Sequence, residues 1–196
     1  MPATTLVAAT NNKGKLKEII QLLPANVALK NLEDIGFTQE IPEPYETFRE
    51  NAATKAKTVH RFCGLNTFAE DSGICVHALG GAPGVHSARY AGEPKDDGRN
   101  LVRLIDEMWG KEDRRAYYRA VICLLWQGDE YYFEGTCKGR LAEEPKGSRG
   151  FGYDPLFIPD GYEETFGELP ADVKNSLSHR GEAVRKMIEF IKTQTK

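Results

Sequence analysis

The sequence predicts an α/β fold, a mixed β-sheet with helices on its faces. Two observations carry this: helical and strand periodicities alternate early in the chain, whereas two β-rich runs follow one another through a glycine turn in its middle. A third bounds the size. At 196 residues and 40% hydrophobic, the chain can bury one substantial core, or two lobes sharing a sheet, without disulfides or metal. One domain with a cleft, residues 1–196, is expected.

Leu6 to Ala9 form an apolar run that reads as a first strand, and Leu16, Ile19, Ile20, Leu22 and Leu23 recur at helical intervals behind it. Between them lies Thr10–Lys15, TNNKGK. A short extended piece follows around Val27–Leu29. From Glu40 to Glu46 the chain is acidic and broken by Pro42 and Pro44, which favour an extended loop. Thr47 and Glu50 have capping-box spacing, with Phe48, Ala52, Ala56, Val59 and Phe62 at helical intervals beyond. Thr67–Ala69 and Ile74–His77 read as two short strands joined through Glu70–Gly73. The stretch LGGAPGVHSARYAG carries too many glycines for helix and reads as a wrapping loop. A third helix is expected over Asp97–Trp109, with Leu101, Leu104, Ile105 and Met108 on one face. Ala116–Trp126 is β-rich and forms a hairpin through Gly128 and Asp129 with Tyr131–Phe133. KGSRGFGYDPLFIP is a glycine-rich turn entering another strand, and a last helix runs from about Gly181 with Val184, Met187, Ile188 and Ile191 as its buried stripe.

The formal charge of −3 comes from 26 basic and 29 acidic side chains well mixed along the chain, so no global field draws it to nucleic acid or to a membrane surface. Any polyanion must meet a local cluster of cations. The longest apolar run, Ala120–Trp126, is too short to span a bilayer. Cys63, Cys75, Cys123 and Cys137 have no CxxC spacing and sit among apolar neighbours, which suits buried thiols in a reducing, cytoplasmic compartment. His60, Cys63, Cys75 and His77 have zinc-ligand chemistry, but they are expected on separate elements without a knuckle and read as ordinary partly buried side chains.

TNNKGK places small polar and basic residues where a strand turns into a helix. Unpaired N–H groups and the positive end of the macrodipole make such a helix start an anion site, and Lys13 and Lys15 add full charges. It lacks Walker spacing, since Gly14 stands alone and Leu16 follows Lys15, which argues against a P-loop ATPase or kinase. An Asn-capped surface helix is the plainer reading of the same residues. Glu70 and Asp71 are adjacent and must point to opposite faces of a strand, so one serves a site while the other props the fold. With a glutamate from the acidic loop, Glu43 by position or else Glu40 or Glu46, the oxygen donors suit Mg²⁺. Phe151–Asp154 joins two aromatics to a carboxylate: the rings can stack on a purine and Asp154 can accept from sugar or base, or they plug the core edge while Asp154 caps a turn. Lys174, Ser178, His179 and Arg180 gather donors just before a helix.

Together these segments resemble the inosine triphosphatase family of nucleoside-triphosphate pyrophosphatases. The likeness runs nearly the whole chain: TNNKGK, ENA at Glu50, EDSG at Glu70, LGGAPGVHSARY at Leu79, GFGYDPLF at Gly150 and SHRG at Ser178. It implies two lobes around an elongated sheet with a central cleft, a homodimer, dependence on Mg²⁺, and cleavage of non-standard purine nucleoside triphosphates (ITP, dITP, XTP) to monophosphate and pyrophosphate. By the resemblance, Thr10, Asn11, Asn12, Lys13, Gly14 and Lys15 hold the triphosphate, Asp71 is catalytic and binds metal with Glu43, and Ser72 lies beside it on the substrate. Phe151, Gly152, Tyr153 and Asp154 contact base and sugar. Lys174, His179 and Arg180 surround the 6-oxo edge of the purine. Glu70 replaces an aspartate found in some members.

Overall fold

Six strands hydrogen-bond in the order β2-β1-β3-β4-β5-β6 in the computed structural model, which describes residues 4–194. The few terminal residues of the expected 1–196 domain outside that range lie beyond the described residues. The strands are β1 (Thr4–Ala8), β2 (Val27–Lys30), β3 (Thr67–Val76), β4 (Arg115–Trp126), β5 (Asp129–Leu141) and β6 (Phe157–Pro159). The helices are α1 (Lys13–Leu22), α2 (Phe48–Cys63), α3 (Asp97–Glu107), α4 (Ala171–Leu177) and α5 (His179–Gln194). β1 is parallel to β2 and to β3 while β5 and β6 are antiparallel, so the sheet is mixed as expected. Gln127 and Gly128, both at positive φ, make the two-residue turn between β4 and β5.

The chain divides into two compact units: the first holds the chain through Asp71, Ala120–Gly135 and the chain from Arg180, the second Ser72–Arg119 and Thr136–His179. In the first unit, strand alternation builds two cores. Leu6, Ala8, Ala120, Ile122 and Leu124 point to one face and meet Ile19 of α1 and Val184, Met187 and Ile188 of α5. Val7, Ala9, Cys123 and Leu125 point to the other and meet Ala52, Ala56 and Val59 of α2. Burial on both faces explains why these strands read as unbroken apolar runs. The second unit has one core, in which Ile74, Val76 and Tyr118 pack with Leu104, Met108, Phe157 and Phe166.

Besides the hairpin turn, which falls one residue before the expected Gly128 and Asp129, four expectations change. Glu70–Gly73 is not a joining turn: β3 runs without a break from Thr67 to Val76, so the two carboxylates lie within a strand. The glycine-rich segment after it includes a 3-10 helix over Gly84–Arg89. α4 precedes the last helix, which starts at His179 rather than about Gly181. The third helix ends at Glu107, short of Trp109.

Gly73 explains the first change. A Cβ there would lie 2.2 Å from the Gly84 carbonyl oxygen and 2.4 Å from Ser87 Oγ, so its glycine admits another segment rather than turning the chain. Ser87 Oγ accepts from the Ile74 N–H and donates to Gly84 O, at 3.0 and 2.6 Å. Gly73→Ala is expected to destabilise the protein by about 1–3 kcal/mol through overpacking, measured as a lower urea midpoint at unchanged m-value.

Candidate active site

The turn from β1 into α1 folds locally as its side chains dictate. Thr10 Oγ1 accepts from the Asn12 N–H at 3.1 Å, and Asn12 Oδ1 accepts from the Lys15 N–H at 3.0 Å. Asn12 is therefore the N-cap of α1. Its neighbours Asn11 and Lys13 are exposed, while Thr10 and Gly14 are half-buried. Lys15 behaves differently from Lys13. Its side chain is 15% exposed and its ammonium lies 3.6 Å from Glu70 Oε1. Burial pulls the Lys15 pKa below the usual lysine value, and the attraction of Glu70 offsets this only in part.

Glu70 is held by Arg180. Nε and one terminal nitrogen of the guanidinium donate to its two oxygens at 2.7 and 2.9 Å, a bidentate fork, and the other terminal nitrogen donates to Glu18 of α1. Both partners of the fork are buried. Burial works against the charge on Arg180, but Glu70 and Glu18 outweigh it and hold its pKa above the usual value. The expectation that Arg180 reads the purine edge is therefore revised: each of its three nitrogens already faces a carboxylate. Arg180 positions β3, α1 and α5 through those carboxylates, and Glu70 is engaged by Arg180 and Lys15.

Asp71, next along β3, points to the opposite face, where Lys55 of α2 meets it. The Lys55 ammonium donates to Asp71 Oδ1 at 3.3 Å, to Glu43 Oε1 at 2.5 Å and to the Glu70 carbonyl oxygen at 3.0 Å. Burial lowers the Lys55 pKa, but Asp71 and Glu43 more than compensate and it ends above the ordinary value. It stays charged. The acidic loop that carries Glu43 is fastened by Asn51, whose side chain accepts from the Tyr45 N–H and donates to Tyr45 O, each at 3.0 Å. Thr47 caps α2 by accepting from the Glu50 N–H at 3.2 Å. The ENA motif thus positions Glu43. Sequence reasoning missed Lys55, although a signal existed: it falls on the stripe of Ala52, Ala56 and Val59, where a cation demands a buried partner.

The donor set fits Mg²⁺. Asp71 Oδ2 is buried and has no hydrogen-bond partner among the described residues. Asp71 and Glu43, both in contact with Lys55, offer two carboxylates. Mg²⁺ is commonly held that way, its other ligands being water and substrate phosphate. Ser72, beside Asp71 in sequence, is half-buried.

In the second unit, Asp154 is buried and its Oδ2 accepts from Lys174 Nζ at 2.6 Å and from the Phe151 N–H at 2.8 Å. Asp154 therefore caps the loop that carries Phe151. A Cβ on Gly150, at φ +74°, would lie 2.0 Å from Asp154 Oδ2, so the loop closes this way only on glycine. The Gly152 N–H donates to Asp97 at 3.0 Å, and Tyr153 belongs to the core with its hydroxyl on Ser87 O at 2.8 Å. Lys174, on α4, has its ammonium 5.1 Å from the centroid of the half-buried Phe151 ring. The His179 ring stacks on Tyr118 with centroids 4.6 Å apart and planes 6° from parallel. An aromatic ring and a fixed ammonium side by side suit a flat ligand with an acceptor on its edge.

The family model described as Ham1 family matches residues 6–190. The chain belongs to the Ham1 family. The relative in Christiangramia forsetii, a dITP/XTP pyrophosphatase, is 43% identical over 186 residues, which cover 95% of this chain and 98% of that protein. The dITP/XTP pyrophosphatase of Bacillus subtilis is 44% identical over 189 residues, covering 94% and 96%. Among solved structures, a HAM1 protein from Coxiella burnetii matches with a TM-score of 0.89 at 33% identity, covering 97% of this chain and 99% of that one. The Ham1 protein of Staphylococcus aureus matches at 0.88 and 32%, covering 98% and 100%. Membership of the Ham1 family agrees with the motif resemblance.

Glu70→Gln is expected to cost about 3–5 kcal/mol of folding stability, because it leaves Arg180 and Lys15 buried beside a neutral amide. Chemical denaturation of the variant against the parent measures it.

Proposed function

We propose that this protein hydrolyses ITP, dITP and XTP to the nucleoside monophosphate and pyrophosphate, with Mg²⁺, and so removes deaminated purines from the nucleotide pool. The observation that carries the reading is Asp71: a buried carboxylate with one oxygen on Lys55 and the other without a partner among the described residues. Such an oxygen is a costly feature unless a ligand or a proton occupies it. The names of the Ham1 relatives agree in substrate class.

Phosphoryl transfer needs alignment and neutralisation of spread negative charge more than covalent chemistry. Asp71 and Glu43 would hold Mg²⁺, which would supply Lewis-acid stabilisation of the phosphate oxygens. Thr10 to Lys15 take the triphosphate through the N–H groups of the first turn of α1 and the Lys15 ammonium. Asp71 orients the attacking water and draws its proton, with Ser72 beside it on the substrate. Phe151, Gly152, Asp154, Lys174 and His179 take base and sugar, while Tyr153 backs them from the core. Lys174, fixed by Asp154, donates to the 6-oxo group of hypoxanthine or xanthine. Adenine presents an amino group there and leaves that donor unmet, so ATP is disfavoured. The whole chain acts as one two-lobed domain and assembles as a homodimer, without nucleic-acid or membrane partners. No helix among the described residues is long and apolar enough to cross a membrane, and all four cysteines are unbridged. The unbridged cysteines suit the reducing cytoplasm in which this reading places the enzyme.

Incubation with ITP, dITP, XTP and ATP, with pyrophosphate resolved from orthophosphate, tests the assignment. Pyrophosphate is expected from the first three, with far less from ATP, and chelation of divalent metal should stop it; orthophosphate as the sole product would sink the reading. Asp71→Asn should lower kcat by about 10²–10⁴ in a folded protein, as for loss of a positioned base or metal ligand, checked by steady-state kinetics beside a thermal melt.

A further inference from the structure

The two carboxylates assigned to the metal already share a cation. The Lys55 ammonium contacts Glu43 Oε1 and Asp71 Oδ1, and the Glu70 carbonyl fixes it from the backbone of β3. Its side chain is 10% exposed, so water screens it little. A divalent ion approaching Asp71 Oδ2 meets this charge across the width of one carboxylate. In a site this dry, repulsion between like charges is several-fold stronger than in bulk water. The ion also gains less from carboxylates whose charge is partly cancelled.

The geometry points to Lys55 as an internal counter-cation that keeps divalent metal off Glu43 and Asp71 until a triphosphate arrives with compensating negative charge. The inference rests on the reading of Asp71 and Glu43 as metal ligands. It assigns Lys55 a task apart from propping α2 against β3: metal and nucleotide bind as one unit, and the free enzyme holds no metal-activated water. A purely structural lysine would leave metal affinity unchanged or lower it when removed, because the carboxylates would lose their orientation.

Mn²⁺ binding to the nucleotide-free protein, followed by the loss of the free-ion paramagnetic resonance signal, separates the two. Lys55→Met and the hydrogen-bonding Lys55→Gln should bind Mn²⁺ at least about tenfold more tightly than the parent, as removal of a nearby like charge requires. Lys55→Arg, which keeps the charge, should bind as weakly as the parent. A non-hydrolysable inosine triphosphate analogue should raise the affinity of the parent and shrink the gap. Equal Mn²⁺ affinity in the folded parent and Lys55→Gln overturns the proposal. So does a parent that holds Mn²⁺ as tightly alone as with the analogue, which needs no variant to fold. Pyrophosphate release by the parent is scored separately: an active parent with no gain in the variants removes only the task given to Lys55, whereas no release from any inosine or xanthosine triphosphate removes the parent reading.

Discussion

The fork between Arg180 and Glu70 is the constraint on which the first unit depends. Neither charge can be buried alone, and together they are stable only while both hydrogen bonds on the carboxylate are made. Glu70 lies on β3 and Arg180 in the first turn of α5, and the remaining arm of the guanidinium reaches Glu18 on α1. One buried group thus fixes a strand and two helices to each other. An apolar cluster of equal size would hold them as strongly but would accept small slides. A bidentate fork does not, and Lys15 is held by the same Glu70.

Alternation along β3 then divides labour between adjacent residues. Because consecutive side chains leave a strand on opposite faces, Glu70 is committed to the Arg180 network while Asp71 faces Lys55 and Glu43. The longer glutamate therefore stays clear of the Lys55 contacts with Asp71 and Glu43. Continuity of β3 through Gly73 is what keeps that division sharp. Had the strand broken there, as the sequence suggests, the two carboxylates would have been free to rotate toward one another.

Much of this was legible because it is local. Asn12 and Thr47 announce their helices through short-range caps, and the doubly buried runs Leu6–Ala9 and Ala120–Trp126 announce a sheet covered on both sides. What was hidden depends on contacts distant in sequence. Gly73 reads as a turn residue until Gly84 and Ser87 are seen pressed against it. α4 spans only Ala171–Leu177, too short for its periodicity to stand out, and its N-cap position is a proline with no side-chain cap bond. Arg180 looks like a donor for ligand because nothing nearby in sequence reveals that Glu70 and Glu18 already occupy it.

Lys15 and Lys55 in the first unit and Lys174 in the second share one property. Lys15 meets Glu70, Lys55 meets Asp71 and Glu43, and Lys174 meets Asp154, so each buried lysine is paired before substrate arrives. A bare phosphate must therefore compete with a carboxylate already in place. On the function proposed above, a polyphosphate with its metal would repay that competition at Lys15 and Lys55, and a base with an acceptor on its edge would repay it at Lys174. The overall formal charge of −3 supplies no general attraction for anions. On that proposal selectivity comes from displacing carboxylates that already hold the cations, a requirement that a chain of negative net charge does not relax by general attraction.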